Sequence, residues 1–442
     1  MIRSLGKTAN PAHTISSILD GGFDTCVTFE FDHIQHYSTG LKITVGVICY
    51  YGEDQLRAAF TTELDSLSKA VAKQSESDSH AYKILLEDLD LSDINLKVPL
   101  KLDTLLIPKP WGQEIWYTGI EERGICTIQK IPLPWILDVF ASIITGTQDL
   151  TPILLKILDP SPHEVYGDLY FELHRKKREV YVVTHIDKNA WPDSTGEIRF
   201  GFCPDKVNSY AEEQQFKDAY LASVEEYQHV RNKLDAKLDE LRSNAQVGEN
   251  EMVSMETINE WHSEIDPALA AQEKKLRNAM NEFTAQRNLN VGDVVHVNPH
   301  VPHSLQHGVR VIEFQTPHYE RYILSFAQKV LTQNHWDTKK ALDHARLDIE
   351  KEPEIQQISE TESLIADFGE FKATRIVLQP GMDKVIDIDT YCLVVGVEGT
   401  LKLGKQRLDP EDGYYVSACA NSVEIRNTSP KPATLLIAQP AH

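Results

Sequence analysis

Three side chains of types that commonly bind metal ions lie in one short segment of the chain. Glu172 and His174 stand two apart in a run of strand-forming residues, so their side chains share one face of a strand. The basic residues 175–178 predict a tight turn, after which Glu179 begins a second predicted strand. His174 and Glu179 are cross-strand neighbours in such a hairpin. The segment therefore predicts that all three groups converge inside one small barrel.

A fourth metal-capable group follows a distant turn. Gly292-Asp293 predicts a turn, Val294–Val297 a short strand, and Asn298-Pro-His-Val-Pro302 a second turn that delivers His303 to the same interior. Two imidazoles together with carboxylates make a nitrogen and oxygen site for a divalent ion such as zinc, manganese or iron. Glu172 is either the fourth ligand or a group that orients a ligand from behind.

These two segments resemble the paired metal-binding motifs of the cupin superfamily. The first motif has a glycine, then His-x-His and a glutamate a few residues later. The second reads Gly-Asp, five residues, then Pro-Gly-x-x-His. In this chain Glu172 stands where the first histidine is usual, and His300 stands where the second motif has glycine. The resemblance implies a jelly-roll barrel around the metal site.

A narrower resemblance is to the type I mannose-6-phosphate isomerases. Pro152–Asp159 is similar to their Pro-Leu-Leu-x-Lys-x-Leu segment, and Glu172 stands where they have glutamine. The spacer between His174 and Glu179 is much shorter than in that family. The resemblance implies one divalent metal ion with four ligands: Glu172, His174, Glu179 and His303. Zinc is the expected ion, and manganese and iron are the alternatives.

The same resemblance extends to residues around the metal. Glu313-Phe-Gln315 followed by Arg321 is similar to the family's Glu-x-Gln strand and its downstream active-site arginine, and Lys109-Pro-Trp111 is similar to a segment near the family's start. It implies catalytic roles for Lys177 and Arg321 and substrate binding by Lys109, Trp111 and Glu313. His300, in a region rich in histidines, is a further candidate for substrate binding at the rim of the pocket, and the catalytic base is either Glu172 or Glu313. The alternatives are a solvated turn for Lys177, an exposed strand charge for Arg321 and core packing for Trp111.

The function implied is a metal-dependent aldose–ketose isomerase that interconverts mannose 6-phosphate and fructose 6-phosphate through an enediol. Two other hypotheses stay open. The chain is another metal-cupin enzyme, such as a free-sugar isomerase or an iron oxygenase, or it is a non-catalytic sugar-binding protein with two cupin domains. In each case except the oxygenase the expected partner is a small-molecule sugar or sugar phosphate.

Helices interrupt this strand-rich pattern. Apolar residues recur near every 3.6 positions from Phe216 to Leu241, and shorter stretches around Met255–Ile265 and Leu276–Phe283 show the same period. The strand pattern returns at Val291. The predicted fold is mainly β with an α insertion: an N-terminal α+β region (1–100), a β domain with the candidate metal ligands (101–203 and 291–345), a helical insertion (204–290) and a second β domain (355–442). The resemblance implies that the first β domain is a metal-binding cupin barrel and the second a metal-free cupin barrel, both jelly rolls.

Composition limits the remaining classes of protein. The 442 residues include 66 acidic and 44 basic side chains, a formal net charge of −22, which disfavours binding to nucleic acids or anionic membranes. The six cysteines show no Cys-x-x-Cys spacing, which is typical of reduced thiols in a cytoplasmic protein. Apolar runs are too short to span a membrane. A homodimer is one assembly compatible with the sequence.

Overall fold

The computed structural model describes residues 2–20, 24–35, 40–52, 55–121, 124–146, 151–248, 253, 255–330, 335–348, 351 and 354–441. The chain divides into two compact units. The first comprises residues 1–105, 116–156 and 354–442, and the second comprises residues 106–115 and 157–353. The fold is mostly β.

The helices of the described residues are α1 (Pro11–Leu19), α2 (Leu64–Ala72), α3 (Ser79–Leu89), α4 (Leu133–Ile144), α5 (Pro204–Asn208), α6 (Glu213–Asn244), α7 (Met255–Ser263), α8 (Pro267–Asn281) and α9 (Thr338–Leu342). The strands up to the long helix are β1 (Arg3–Thr8), β2 (Thr25–Ile34), β3 (Lys42–Gly52), β4 (Gln55–Thr61), β5 (Ile94–Asn95), β6 (Leu100–Asp103), β7 (Leu105–Lys109), β8 (Gly112–Trp116), β9 (Thr127–Ile128), β10 (Ile131–Pro132), β11 (Leu154–Pro160), β12 (Phe171–Leu173), β13 (Glu179–Ile186) and β14 (Gly196–Phe202). The later strands are β15 (Thr284–Leu289), β16 (Val294–Val297), β17 (His303–Leu305), β18 (Val309–Gln315), β19 (Tyr322–Ser325), β20 (Gln356–Ser359), β21 (Glu362–Asp367), β22 (Phe371–Leu378), β23 (Asp383–Asp387), β24 (Cys392–Glu398), β25 (Leu401–Leu403), β26 (Gln406–Leu408), β27 (Gly413–Val416), β28 (Ser422–Asn427) and β29 (Ala433–Pro440).

The N-terminal residues of the first unit form a sheet in the order β1-β2-β3-β4-β5. Its strands β2 and β3 pair antiparallel along almost their whole length, while β1 joins β2 in parallel. Helices α2 and α3 cover one face, where Leu67 and Leu85 pack against Ile48. This burial stabilises a mixed α and β region.

The rest of the first unit contains a sandwich of two sheets. The long sheet has the order β10-β9-β6-β27-β24-β29-β22-β21-β20, and the short sheet has the order β23-β28-β25-β26. Val394 and Leu435 of the long sheet share one core with Leu401 and Ile425 of the short sheet. Because β6 pairs with β27, residues near 101 extend this C-terminal sandwich, whereas the sequence-based boundary groups them with the metal ligands.

A second sandwich lies mainly in the second unit. We call the sheet with the order β16-β13-β18-β11-β8-β7 the front sheet, and the sheet with the order β15-β14-β17-β12-β19 the back sheet. Val183 and Val311 of the front sheet share one core with Ile198 and Leu305 of the back sheet. Apolar side chains therefore fill the space between the two sheets and hold them face to face.

Helices cover the outer face of the back sheet. Phe216 and Tyr220 of α6 and Met280 of α8 pack against Phe171 and Leu324 of the back sheet. The helices predicted from periodicity are confirmed at α6, α7 and α8. The apolar faces of α6 and α8 cover the strand that carries Glu172.

Among the described residues, the helices are too short or too polar to serve as a membrane span.

We expect Phe216→Ala to destabilise the second unit. The Phe216 side chain is fully buried, with its ring centroid 5.1 Å from that of Phe202 and 5.6 Å from that of Phe283. Loss of a buried phenylalanine costs about 3–5 kcal/mol. A urea titration followed by tryptophan fluorescence should show a lower midpoint. Glu226→Ala, on the exposed side of the same helix, is the control and should change stability by less than about 0.5 kcal/mol. Equal midpoints for both variants would contradict this packing.

Candidate metal centre

The segment with the first three candidate ligands crosses between the two sheets. Glu172 lies on β12 of the back sheet, whereas Glu179 begins β13 of the front sheet. The predicted hairpin is wrong, because β12 pairs with β17 and β19 while β13 pairs with β16 and β18. Residues 175–178, which we call the crossover, carry the chain from the back sheet to the front sheet. His174 and Glu179 therefore meet across the interior of the sandwich and not along one sheet.

Alternation along β12 points Glu172 into the sandwich. Phe171 and Leu173 belong to the cluster under the helices, so Glu172 faces the opposite side. His303 is the direct partner of Glu172 in the antiparallel pair of β12 and β17. The sheet register thus places the histidine from the distant turn beside the first ligand segment.

The candidate ligand atoms approach one another closely. The Nε2 atom of His174 lies 3.4 Å from Glu179 Oε1 and 3.7 Å from Glu172 Oε1. The Nε2 atom of His303 lies 3.4 Å from Glu179 Oε2. Ligand atoms of Glu172, His174 and His303 all fall within 4.8 Å of one another. These side chains form a group that could hold a metal ion.

Backbone carbonyls fix the orientation of both imidazoles. The Nδ1 atom of His174 lies 2.9 Å from the carbonyl oxygen of Glu320, and that of His303 lies 3.1 Å from the carbonyl oxygen of Val301. A carbonyl oxygen only accepts hydrogen bonds, so each Nδ1 carries the proton. In the neutral ring each Nε2 then presents a lone pair to the interior. This arrangement is typical of metal-binding histidines, and the donor set fits a divalent cation.

Glu179 is a buried carboxylate with several polar neighbours. The Lys177 Nζ atom lies 2.5 Å from its Oε1, and the hydroxyl of Tyr181 donates to its Oε2 at 2.7 Å. Burial raises the pKa of the Glu179 carboxyl, but Lys177, His174 and His303 outweigh burial and hold this pKa well below its usual range. Lys177 itself is only 7% exposed, so the solvated alternative is wrong for this side chain.

Arg321 lies beside the centre. Its Nε atom is 3.5 Å from Glu172 Oε2, and its guanidinium carbon is 4.5 Å from the centre of the Tyr170 ring. Burial is the main cause that raises the pKa of Tyr170 to about 12, so its hydroxyl stays protonated at neutral pH. About a quarter of the Arg321 side chain is exposed.

The inner face of the front sheet adds further polar groups. In the pairing of β13 with β18, Tyr181 stands opposite Glu313 and Glu179 stands opposite Gln315. All four side chains are at least nine-tenths buried. Glu313, predicted from sequence, therefore lies on the same inner face as Glu179.

Some buried polar atoms near the centre have no hydrogen bond within the described residues. They are Tyr170 Oη, Glu172 Oε2 and Gln315 Oε1. Leaving a buried polar atom without a hydrogen bond costs about 1–3 kcal/mol, so such atoms favour a polar ligand.

The other predicted residues have different surroundings. Trp111 is 2% exposed and belongs to the apolar core between the sheets, as the packing alternative predicts. Lys109 forms an ion pair with Glu114, with 3.4 Å between Nζ and Oε2. His300 has φ of 71°, and its backbone N–H donates to the His174 carbonyl at 2.7 Å. This left-handed backbone is a conformation that glycine adopts readily, and glycine is the residue usual there in the motif.

Sequence analysis missed Tyr170, Tyr181 and Glu320. Tyr181 lies two residues after Glu179, so the alternation of a strand could have identified it. Glu320 contacts the centre through a loop, and no periodic pattern marks it.

Comparison with known proteins finds similarity in structure alone. No family model matches the sequence, and no curated protein matches it either. The mannose 6-phosphate isomerase from Bacillus subtilis superposes with a TM-score of 0.52 at 13% identity, over 77% of this chain and 99% of that one. A mutant phosphomannose isomerase from Salmonella typhimurium gives 0.55 at 14% identity, over 78% and 100%. The apo form of the Salmonella typhimurium enzyme gives 0.53 at 12% identity, over 78% and 99%. The chain therefore shares the fold of these isomerases, and the predicted resemblance is confirmed at that level.

We expect His174→Ala and His303→Ala each to weaken zinc binding by more than about 100-fold. Loss of a residue that only supports a ligand costs up to about 100-fold, and loss of a ligand should cost more. The reason is that each Nε2 faces the shared interior. Competition with a chromophoric chelator gives the dissociation constants. His185→Ala, at an exposed histidine of β13, is the control and should bind zinc like the wild type. Zinc affinity that is unchanged in both test variants would show that the centre is not a metal site.

Proposed function

We propose that the protein is a metal-dependent aldose–ketose isomerase that interconverts mannose 6-phosphate and fructose 6-phosphate through an enediol. The observation that carries this proposal is that two imidazoles, each held by a backbone carbonyl, lie close to the carboxylates of Glu172 and Glu179. The cations Lys177 and Arg321 lie next to these carboxylates. The shared fold with mannose 6-phosphate isomerases supports the choice of substrate.

In this proposal Glu172, His174, Glu179 and His303 would hold one divalent ion, zinc first and otherwise manganese or iron. When bound, such an ion supplies Lewis acidity to a carbonyl and to the hydroxyl beside it. The two carboxylates bring negative charge to the site, and each also lies next to a cation, Lys177 or Arg321. Glu172 brings one of these charges, because a glutamine at this position would be neutral.

The isomerisation needs a base that moves a proton between adjacent carbons. Glu172 and Glu179 both contact imidazoles, within 3.7 Å and 3.4 Å. We therefore assign the base to Glu313, a carboxylate on the same inner face beside Tyr181. General base catalysis of this kind contributes about 10²- to 10⁴-fold in rate.

In the proposed reaction two cations would stabilise negative charge. Arg321 is partly exposed, and its planar guanidinium can bind a phosphate group through two parallel hydrogen bonds. Lys177 is buried next to Glu179, where an ammonium group stabilises an oxyanion more strongly than it does in water. Tyr170 and Gln315 offer polar atoms for the sugar hydroxyls.

We expect the purified, zinc-loaded protein to convert mannose 6-phosphate to fructose 6-phosphate. His303→Ala should lower kcat/KM to the level of the chelator-treated wild type, since it removes an imidazole from the centre. A coupled assay for fructose 6-phosphate measures the rate, and His185→Ala should retain wild-type turnover. A folded, metal-loaded protein that is inactive on a panel of aldose and ketose phosphates would refute the proposal. Bound iron with oxygen uptake would instead favour an oxygenase, and sugar binding without turnover would favour a non-catalytic protein.

We expect Arg321→Met to raise KM for the sugar phosphate by about 10- to 100-fold, because a hydrogen bond to a charged group contributes about 1.5–3 kcal/mol. Arg175→Met is the matched control, since Arg175 is an exposed cation of the same crossover and has no role in the proposal. Steady-state kinetics with phosphorylated and free mannose separates phosphate binding from general damage. If Arg321→Met affects both sugars equally, Arg321 is not the phosphate-binding group.

A further inference from the structure

The loop between β18 and β19, residues 316–321, forms hydrogen bonds with the backbone of the crossover, which connects the candidate ligands His174 and Glu179. The hydroxyl of Thr316 accepts the backbone N–H of Arg178 at 3.0 Å, and the N–H of Thr316 donates to the Arg178 carbonyl at 3.0 Å. Thr316 directly follows β18, so this end of the crossover is attached to the front sheet. The remaining N–H groups of the crossover need partners of their own.

Glu320 provides partners at the other end. Its carboxylate oxygen Oε1 accepts the backbone N–H of Lys176 and, at 3.3 Å, the N–H of Lys177. Its own carbonyl oxygen lies 2.9 Å from His174 Nδ1. A single residue therefore contacts both the imidazole of a candidate ligand and the backbone that precedes Glu179.

The residue after Glu320 contacts the same segment again. Arg321 lies 3.5 Å from Glu172 through Nε. Consecutive residues of this loop thus reach Glu172, His174 and the turn before Glu179. The loop contacts the ligand-bearing segment on both sides of His174.

Two consequences follow for the centre. A hydrogen bond between an N–H and a carboxylate is about twice as strong as one between neutral groups, so Glu320 holds the turn at Lys176 and Lys177 firmly. With the turn held, the Lys177 side chain points inward to Glu179. The carbonyl of Glu320 keeps the His174 ring in the tautomer whose Nε2 faces the interior.

We propose that Glu320 is a positioning residue, whose carboxylate fixes the crossover and thereby sets the affinity and the coordination geometry of the metal centre. This inference rests on the metal centre of the proposed function. It concerns metal binding directly, and Glu320 itself is neither a ligand nor a group that contacts substrate.

The test uses Co(II) as a probe, because its visible absorption reports coordination geometry independently of catalysis. Glu320→Ala should bind Co(II) and Zn(II) about 10- to 100-fold more weakly than the wild type and should show a changed Co(II) spectrum. Glu320→Gln retains a side-chain oxygen that accepts the two N–H groups, so it should recover most of the affinity and a spectrum close to that of the wild type.

The control is Glu197→Ala. Glu197 is a half-buried glutamate of the back sheet that accepts a hydrogen bond from Gln286 at 3.0 Å, and it should leave metal binding unchanged. Thermal melting of each variant shows that the fold is retained. Wild-type affinity and spectrum in Glu320→Ala would overturn the inference and leave the proposed function intact. A folded Glu320→Gln as defective as Glu320→Ala would also overturn it, whereas a wild-type protein that binds no metal would refute the proposed function itself.

Discussion

The buried carboxylate of Glu179 is the constraint on which the second unit depends. An isolated carboxylate between two sheets would carry a large desolvation penalty. The structure offsets this penalty with the ammonium of Lys177 at 2.5 Å and the hydroxyl of Tyr181 at 2.7 Å. The Nε2 atoms of His174 and His303 each lie 3.4 Å from the same carboxylate, where a bound cation would join the three groups. These neighbours come from both sheets and from the crossover between them. The buried charge on Glu179 therefore requires polar side chains from several elements at this end of the sandwich.

Strand β12 of the back sheet has one apolar face and one face that carries Glu172. On β12, Phe171 and Leu173 pack under the helices, while Glu172 faces the interior and pairs with His303. Burying the apolar face anchors the strand, because removal of aromatic and aliphatic surface from water is the main favourable contribution to folding. The helices stabilise the centre in this way although none of their residues belongs to it.

Much of the site could be predicted from residue types and spacing. The pair Glu172 and His174 has the two-residue period of a strand, and the structure brings both to His303 as expected. The helical period of Phe216 and Tyr220 predicted α6, and that of Leu276 and Met280 predicted α8. These patterns are local, and a local pattern is enough to predict which face of an element is buried. The predicted hairpin was wrong because the sequence of a short polar turn is similar whether the chain returns along one sheet or crosses to another.

The sequence by itself determined the candidate ligands, the strand and helix periods, and the resemblance to a known isomerase fold. Only the tertiary structure decided that residues 175–178 cross the sandwich, that Lys177 points inward, and that Glu320 holds the crossover. The physical reason is that backbone N–H groups and buried charges take whichever partners the packed sheets bring near them. Those partners, such as Glu320 for His174, lie far away along the chain, and no local spacing encodes their distance in space.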